Sequence, residues 1–267
     1  MTRRRFIANT WDQTTATLTG DQATHLARVL RAQPGQLYDV VAGGFLHRAE
    51  IADVSTGDSP EVHFILHEEL ESDAALPLHL LLAVFKFDHM EWAIEKATEL
   101  GVARITPILA RRTEKHLTLA APKRAERWRR IALESAKQSR RTDIPEIADP
   151  TQLKPALEHE TSPTRILLSE TEQATTLTAA LATKIVISTE AAHSLIVSSA
   201  AEKPASLPQP TPSLTLALAI GPEGGWTPEE MSLFTQHNWQ PVTLGPRILR
   251  AETAAIAAIA IASTHLT

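Results

Sequence analysis

Two short segments hold most of the residues whose types and spacing could do chemistry. The first, Gly221-Pro222-Glu223-Gly224-Gly225-Trp226, follows the apolar run 214–220 (LTLALAI) and precedes Thr227-Pro228-Glu229-Glu230. A glycine-rich turn at the carboxyl end of a buried strand, leading into a helix, is where α/β proteins bind ligands. Glycines there let main chain approach a ligand closely. The turn lacks the Gly-Lys-Ser/Thr of a phosphate-binding P-loop and the G-x-G-x-x-G of a dinucleotide fold. A nucleotide-like ligand held mostly by main chain fits it; a purely structural turn fits this segment alone as well. The second segment, 244–254 (LGPRILRAETA), sets Arg247, Arg250 and Glu252 between a Gly245-Pro246 turn and an Ala/Ile-rich helix over 254–263. Charges in such a place are costly unless paired or functional. An Arg–Glu pair closing the helix N-terminus is the structural alternative.

A third feature is electrostatic. The 267-residue chain has a formal net charge of −5, yet residues 104–141 hold 12 Lys or Arg against 3 Glu. Such a cluster is the footprint of a phosphate-binding face on an otherwise acidic protein, although a solvated helix face explains the count too. The chain has no cysteine, which removes disulfides, thiolate nucleophiles, iron–sulfur clusters and the usual structural zinc site, and no metal is expected. Apolar and charged fractions of 43% and 21% are those of a globular protein, not a disordered one. No secretory signal is visible at the start. The longest apolar run near the end, 254–262, falls short of the roughly 20 residues needed to span a bilayer. A soluble, cytoplasmic protein with no membrane partner is expected.

The elements that must position these residues divide into two expected domains, 1–73 and 74–267. In the first, β-rich runs at 5–8, 36–41, 45–54 and 61–67 alternate with turn signals, as in a small antiparallel barrel or sandwich. One helix over 21–31, capped by Asp21, turns Leu26, Val29 and Leu30 inward. Residues 68–77 suit a linker. Beyond it, buried strands are expected at 79–85, 105–109, 165–169, 184–188, 214–220 and 241–244. A helix starts at Asp88, with Glu91 completing a capping box, and closes at Gly101. Another over 123–140 buries Trp128, Ile131, Ala132 and Ser135 and leaves Lys123, Arg127, Arg130 and Lys137 on a different face. Thr227 as N-cap, Pro228 at the first helical position and Glu230 three residues after the cap mark a further helix start. Strand–helix alternation of this kind means an α/β domain with a parallel sheet. The Ser-, Ala- and Pro-rich stretch 189–213 reads as an exposed loop.

Taken together, residues 220–226 (IGPEGGW) and 244–254 resemble the cofactor loops of the SPOUT superfamily of S-adenosylmethionine-dependent RNA methyltransferases. Within it the closest likeness is to the bacterial 16S rRNA uridine-N3 methyltransferases. Residues 25–31 with Pro34-Gly35 (HLARVLR, PG), 90–102 (MEWAIEKATELGV) and 138–147 (QSRRTDIPEI) agree, so the likeness spans both expected domains. It implies a C-terminal α/β sheet tied into a trefoil knot, a small PUA-like β-barrel that contacts RNA, and a homodimer. By this resemblance Gly221, Pro222, Glu223, Gly224 and Gly225 form one loop around S-adenosylmethionine. Leu244 and Gly245 form the next, while Leu249, Arg250, Glu252, Thr253 and Ala254 close the third. Leu168 and Ser169 touch the adenosine. Three departures stand out: Lys86-Phe87-Asp88-His89 lacks the family's flexible glycine, Lys137 and Arg140 replace an acidic and a glycine residue, and 170–213 is longer than typical.

Methylating N3 of uridine requires loss of an imide proton and in-line attack on a sulfonium methyl. The reacting atoms must be aligned within about 3–3.5 Å, with a donor facing the pyrimidine oxygens as charge builds. Arg247 is the candidate donor, and Glu223 or Glu252 the candidate proton acceptor. N3 lies on the Watson–Crick edge, so the target base must be unpaired or flipped out. Arg111, Arg112, Lys123, Arg124, Arg127 and Arg141, with Lys86 and with Arg28 and Arg31 of the first domain, are candidates for holding 16S rRNA or the small ribosomal subunit. Ribose 2'-O-methylation, a small-molecule enzyme with a nucleotide cofactor, and a non-catalytic RNA-binding module are the rival readings.

Overall fold

The computed structural model describes residues 5–70, 75–183 and 215–266, and these form two compact units. The first unit draws on residues up to Ala74 together with Ala136–Asp143. Its strands are β1 (Arg5–Ile7), β2 (Thr10–Trp11), β3 (Thr15–Leu18), β4 (Leu37–Ala42), β5 (Phe45–Ser55) and β6 (Glu61–Leu70). They join in the order β1-β4-β5-β6-β3-β2, antiparallel except for β1 on β4. The neighbours Ala8 and Asn9 donate to Val41 and Thr17, which lie on opposite flanks of that order. The sheet is therefore curled until its two edges meet. Alternate inward residues, Ala16, Leu18, Val62 and Phe64 among them, fill its interior. Gly43 and Gly44, at φ +63 and +88, make the two-residue turn between β4 and β5 that only a left-handed backbone allows.

The helix expected over 21–31 is shorter and mixed. Gly20–Thr24 (α1) is α-helical with Thr19, not Asp21, at the cap position, and His25–Val29 continues as a π-helical turn. Widening the turn breaks the 3.6-residue spacing that would align residues 26, 29 and 30. Leu26 is fully buried, but Val29 points outward at 66% exposure.

The second unit is built on a seven-stranded, wholly parallel sheet. Its strands are β7 (Leu76–Ala83), β8 (Val102–Leu109), β9 (Glu146–Ile147), β10 (Thr151–Gln152), β11 (Thr164–Leu168), β12 (Leu216–Ile220) and β13 (Gln240–Val242). The order is β10-β8-β7-β12-β11-β13, with β9 also on β8. Helices are α2 (Phe87–Glu99), α3 (Lys115–Gln138), α4 (Leu153–Glu158), α5 (177–183), α6 (Pro228–Gln236) and α7 (Ala251–Leu266). Both faces of the sheet are covered. Leu78, Leu80 and Leu82 of β7 and Leu216 and Leu218 of β12 pack in one apolar layer with residues of α2, α3 and α7. Leu81, Ala83, Ala217 and Ala219 pack in another with residues of α4 and α6. That double burial is why these strands read as unbroken apolar runs. The strand expected at 184–188 and the loop at 189–213 lie outside the described residues. Among those described, no helix is long and apolar enough to cross a membrane.

Two helix starts differ from expectation. At α2, Lys86 occupies the cap position without a side-chain bond, and Asp88 lies inside the first turn. Glu91 instead accepts from Nε and Nη2 of Arg127, at 2.6 and 2.7 Å, because α3 packs alongside. Helix α3 begins eight residues earlier than expected and carries Pro122 inside it. Trp128, Ala132 and Ser135 are buried as expected, with Ile131 packed against the same layer.

One polar cluster interrupts the second apolar layer. His79 of β7 meets Glu160 through Nδ1 and the Thr106 hydroxyl through Nε2 at 2.7 Å, and Glu160 accepts from the Ser162 amide at 2.7 Å. Burial alone would raise the Glu160 carboxyl. The hydrogen bond and charge of His79, with the Ser162 amide, outweigh it and bring the group from 4.5 to about 2. A carboxylate held lower in the folded than in the unfolded chain adds stability that is full above the unfolded value and is lost as pH falls through the folded one. Urea unfolding at about pH 6 and about pH 3 should therefore show Glu160→Gln costing clearly more at the higher pH. Equal costs at both would mean that Glu160 is not ionised in the fold.

Candidate functional site

Strands β12, β11 and β13 lie side by side and parallel, so the loops leaving their carboxyl ends emerge together. Between these loops lies a cleft of about 870 Å³, within the roughly 300–1,000 Å³ usual for small-molecule sites. The 221–226 turn is closed by Gly225, at φ +69, donating to the Pro222 carbonyl at 2.8 Å. Trp226 folds back over Gly221, where an added Cβ would sit 3.1 Å from the indole nitrogen. Phe234 props that indole from behind, edge-on at 4.9 Å, and Trp239 in turn supports Phe234 at 5.4 Å. The 243–250 loop bends at Gly245, whose φ of +118 excludes a side chain and whose amide donates to the Thr243 hydroxyl at 3.1 Å.

Helix α6 starts directly after the first turn, and its capping box is complete. Thr227 accepts from the Glu230 amide at 3.3 Å, and Glu230 Oε2 accepts from the Thr227 amide at 2.8 Å. The other Glu230 oxygen accepts from the Arg111 amide at 2.8 Å. One buried carboxylate thus fastens the helix start to the loop that follows β8. From that same loop Arg112 Nη1 donates to the Gly224 carbonyl at 2.6 Å.

Most of the expected ligand residues converge on this cleft. Gly221, Pro222, Glu223, Gly224 and Gly225 line it from the end of β12, and Leu168 with Ser169 from the end of β11. Leu244, Gly245, Arg247, Leu249 and Arg250 line it from the end of β13, with Ala254 on the first turn of α7. Glu252 and Thr253 are not among its walls. Helix α7 already begins at Ala251, and each helical residue turns the side chain by about 100°. Glu252 is thereby carried to the α2 side, buried, with Oε1 3.3 Å from His89 Nδ1 and Oε2 without a hydrogen-bond partner among the described residues. Thr253 is exposed.

Residues that the sequence did not single out also line the cleft: Thr171, Glu172, Gln173 and Thr176 after β11, and Met231 of α6. The signal was the turn at Glu172. Its carboxylate accepts from the Thr175 and Ala174 amides, which hold it below the ordinary carboxylate range.

The basic residues divide by what already neutralises them. Arg127 clamps Glu91, and Arg124 lies 3.5 Å from the same carboxylate and 4.8 Å over the Phe87 ring. Arg141 bonds Asp143 and is nearly buried. These three are held by protein partners. Lys86, Arg111, Arg112 and Lys123 are exposed. In the first unit Arg28 donates to the Gly57 carbonyl at 2.9 Å, and Arg31 adopts a left-handed backbone at φ +51.

Comparison with known proteins adds an independent line. A family model described as an RNA methyltransferase domain matches residues 72–263. The chain is 34% identical over 250 residues to ribosomal RNA small subunit methyltransferase E of Synechocystis, covering 93% of this chain and 72% of that protein. It is 30% identical over 253 residues to the Bacillus subtilis protein of the same name, covering 93% and 90%. A crystal structure of ribosomal RNA small subunit methyltransferase E from Neisseria gonorrhoeae, bound to S-adenosyl methionine, matches with a TM-score of 0.73 at 26% identity over 98% of both chains.

Proposed function

The chain belongs to the RNA methyltransferase family that includes ribosomal RNA small subunit methyltransferase E, and from that premise we propose that it methylates N3 of a uridine in 16S rRNA with S-adenosylmethionine. The observation that carries this reading is the meeting of residues 221–225, 244–250 and Leu168 around one cleft. The donor set suits the cofactor: main chain of two glycine turns for the polar groups, Leu168, Leu244 and Leu249 for the apolar faces, and room at Gly245, where nothing lies within 4 Å of an added Cβ. Bound there, S-adenosylmethionine supplies an electrophilic methyl on a positively charged sulfur.

The chain's own residues do the rest. Arg247, exposed on the cleft wall, donates to a pyrimidine oxygen as charge builds on the base during loss of the N3 proton. Glu223, exposed on the opposite loop, is the proton acceptor; Glu252 is turned away toward His89 and serves to hold α7 on α2. Arg111, Arg112, Lys86 and Lys123 hold backbone phosphates, so binding should weaken steeply with added salt.

The finer family features are part of the same proposal. The curled six-stranded sheet supports a PUA-like barrel that contacts RNA through Arg28 and Arg31. A trefoil knot is supported by β13 lying outside β11, followed by α7 returning to pack on α2 and β7. A homodimer is supported by apolar residues left half-exposed on α7, Ile256 and Ile261, and by Ile248 at 83% and Trp92 at 46% exposure. Work on ribosomal RNA implies a cytoplasmic protein.

Reverse transcription across 16S rRNA tests the proposal. N3 methylation blocks pairing, so the polymerase should stop one nucleotide before a uridine in rRNA from the parent strain and read through in rRNA from a strain lacking the gene. A band that appears only when nucleotides are limiting would indicate ribose methylation instead. Identical traces from the two strains would remove the assignment.

A further inference from the structure

Arg112 stands where two tasks meet. Its Nη1 is committed to the Gly224 carbonyl, and its stem packs on that glycine, with Cδ 3.4 Å from where a Cβ would be. It lines both the large cleft and an adjoining cavity of about 170 Å³ shared with Glu114, Glu223 and Phe85. Yet the side chain is exposed. A guanidinium has five N–H donors in one planar fork, so an edge of the fork is left for a second ligand. The backbone that carries it is pinned: the Arg111 amide bonds Glu230, the Thr113 hydroxyl bonds the Val84 carbonyl at 2.8 Å, and the Thr113 amide bonds Ala110 at 3.1 Å. On the Arg112 side of the link to Gly224, the side chain is the part left to rotate. Farther along α3, Arg124, Arg127 and Arg129 are engaged with Glu91, Glu126 and Asp149. Arg111 and Arg112, by contrast, stand exposed at the end of the segment that touches the cofactor loop.

We propose that Arg112 is a positioning residue that couples the two substrates: the open edge of its fork grips an RNA phosphate, and that grip fixes the bond to Gly224 that shapes the cofactor loop. The inference rests on the methyltransferase reading above. Ordering a long side chain carries an entropic cost. Whichever ligand arrives first bears it, and the second then binds more tightly, by the same factor in either order.

Calorimetry with the full chain tests this, using S-adenosylhomocysteine as the unreactive probe and 16S rRNA from a strain lacking the gene. Wild type should bind S-adenosylhomocysteine about fivefold or more tightly with rRNA present, and rRNA more tightly by that factor with S-adenosylhomocysteine present. In Arg112→Ala both factors should fall to one while the KM for rRNA rises. Arg112→Lys keeps the charge and the stem but not the planar fork; it should retain most rRNA affinity and still lose the coupling. Coupling that survives in the alanine variant, or that lysine restores, overturns the proposal. So does wild type binding both ligands independently, which leaves the methyltransferase reading intact. A wild type that binds no S-adenosylhomocysteine removes that reading and this inference with it.

Discussion

Arg247→Ala should lower single-turnover methyl transfer to small-subunit rRNA by about 10²–10³-fold, the usual effect of removing one donor to developing negative charge. Affinity for S-adenosylmethionine should stay near that of wild type. The separation follows from how the loop is built. Its bend depends on Gly245 and on the Thr243 hydroxyl, not on the arginine side chain, which is exposed on the cleft wall. Truncating it removes a donor without altering the backbone that cradles the cofactor. Arg247→Lys should recover only part of the rate, since a single ammonium cannot reproduce a planar fork. Calorimetry for the cofactor and rapid-quench assays for the rate check both halves. Comparable losses in rate and cofactor affinity would make Arg247 a scaffold residue and return the search for the donor to Arg112 and Arg250.

Glu230→Ala should cost about 2–4 kcal/mol of stability, the sum expected for two partly buried N–H groups that lose their acceptor. Both carboxylate oxygens are in use: one receives the Thr227 amide and the other the Arg111 amide. Because Thr227 follows the glycine turn by one residue, cofactor affinity should fall together with stability. Glu230→Gln offers one carbonyl oxygen in place of two, so its cost should fall between alanine and wild type. Urea denaturation with an unchanged slope would measure these differences. A glutamine variant as unstable as alanine would show that charge, not the two acceptor positions, is what matters.

The stretch from β12 into α6 could be read from the sequence because every local signal agreed: a buried run, a glycine turn, then Thr-Pro-Glu-Glu at the right spacing. The Asp88–Glu91 pattern was equally persuasive and did not form a cap. Glu91 was drawn to Arg127, 36 residues away in the chain, and no local rule anticipates such a contact. Strands β2 and β3 were missed because they are only two and four residues long. Their turn is set by Asp12, whose carboxylate accepts from the Thr14 and Thr15 amides at 2.7 Å each, a signal present in the sequence but weak without its context. The helix expected from residue 123 starts at Lys115 instead, and α3 runs through Pro122. Arg112 was taken for an RNA contact alone, since its bond to Gly224 spans 112 residues. Tertiary contacts decided the roles of Glu91 and Arg112.

The cleft has no local origin: its walls come from three strand ends, and its floor is completed only when residues 243–254 reach a sheet begun at residue 76. A chain cut before residue 243 therefore keeps β7, β8, β11 and β12 yet lacks one whole wall of the cleft.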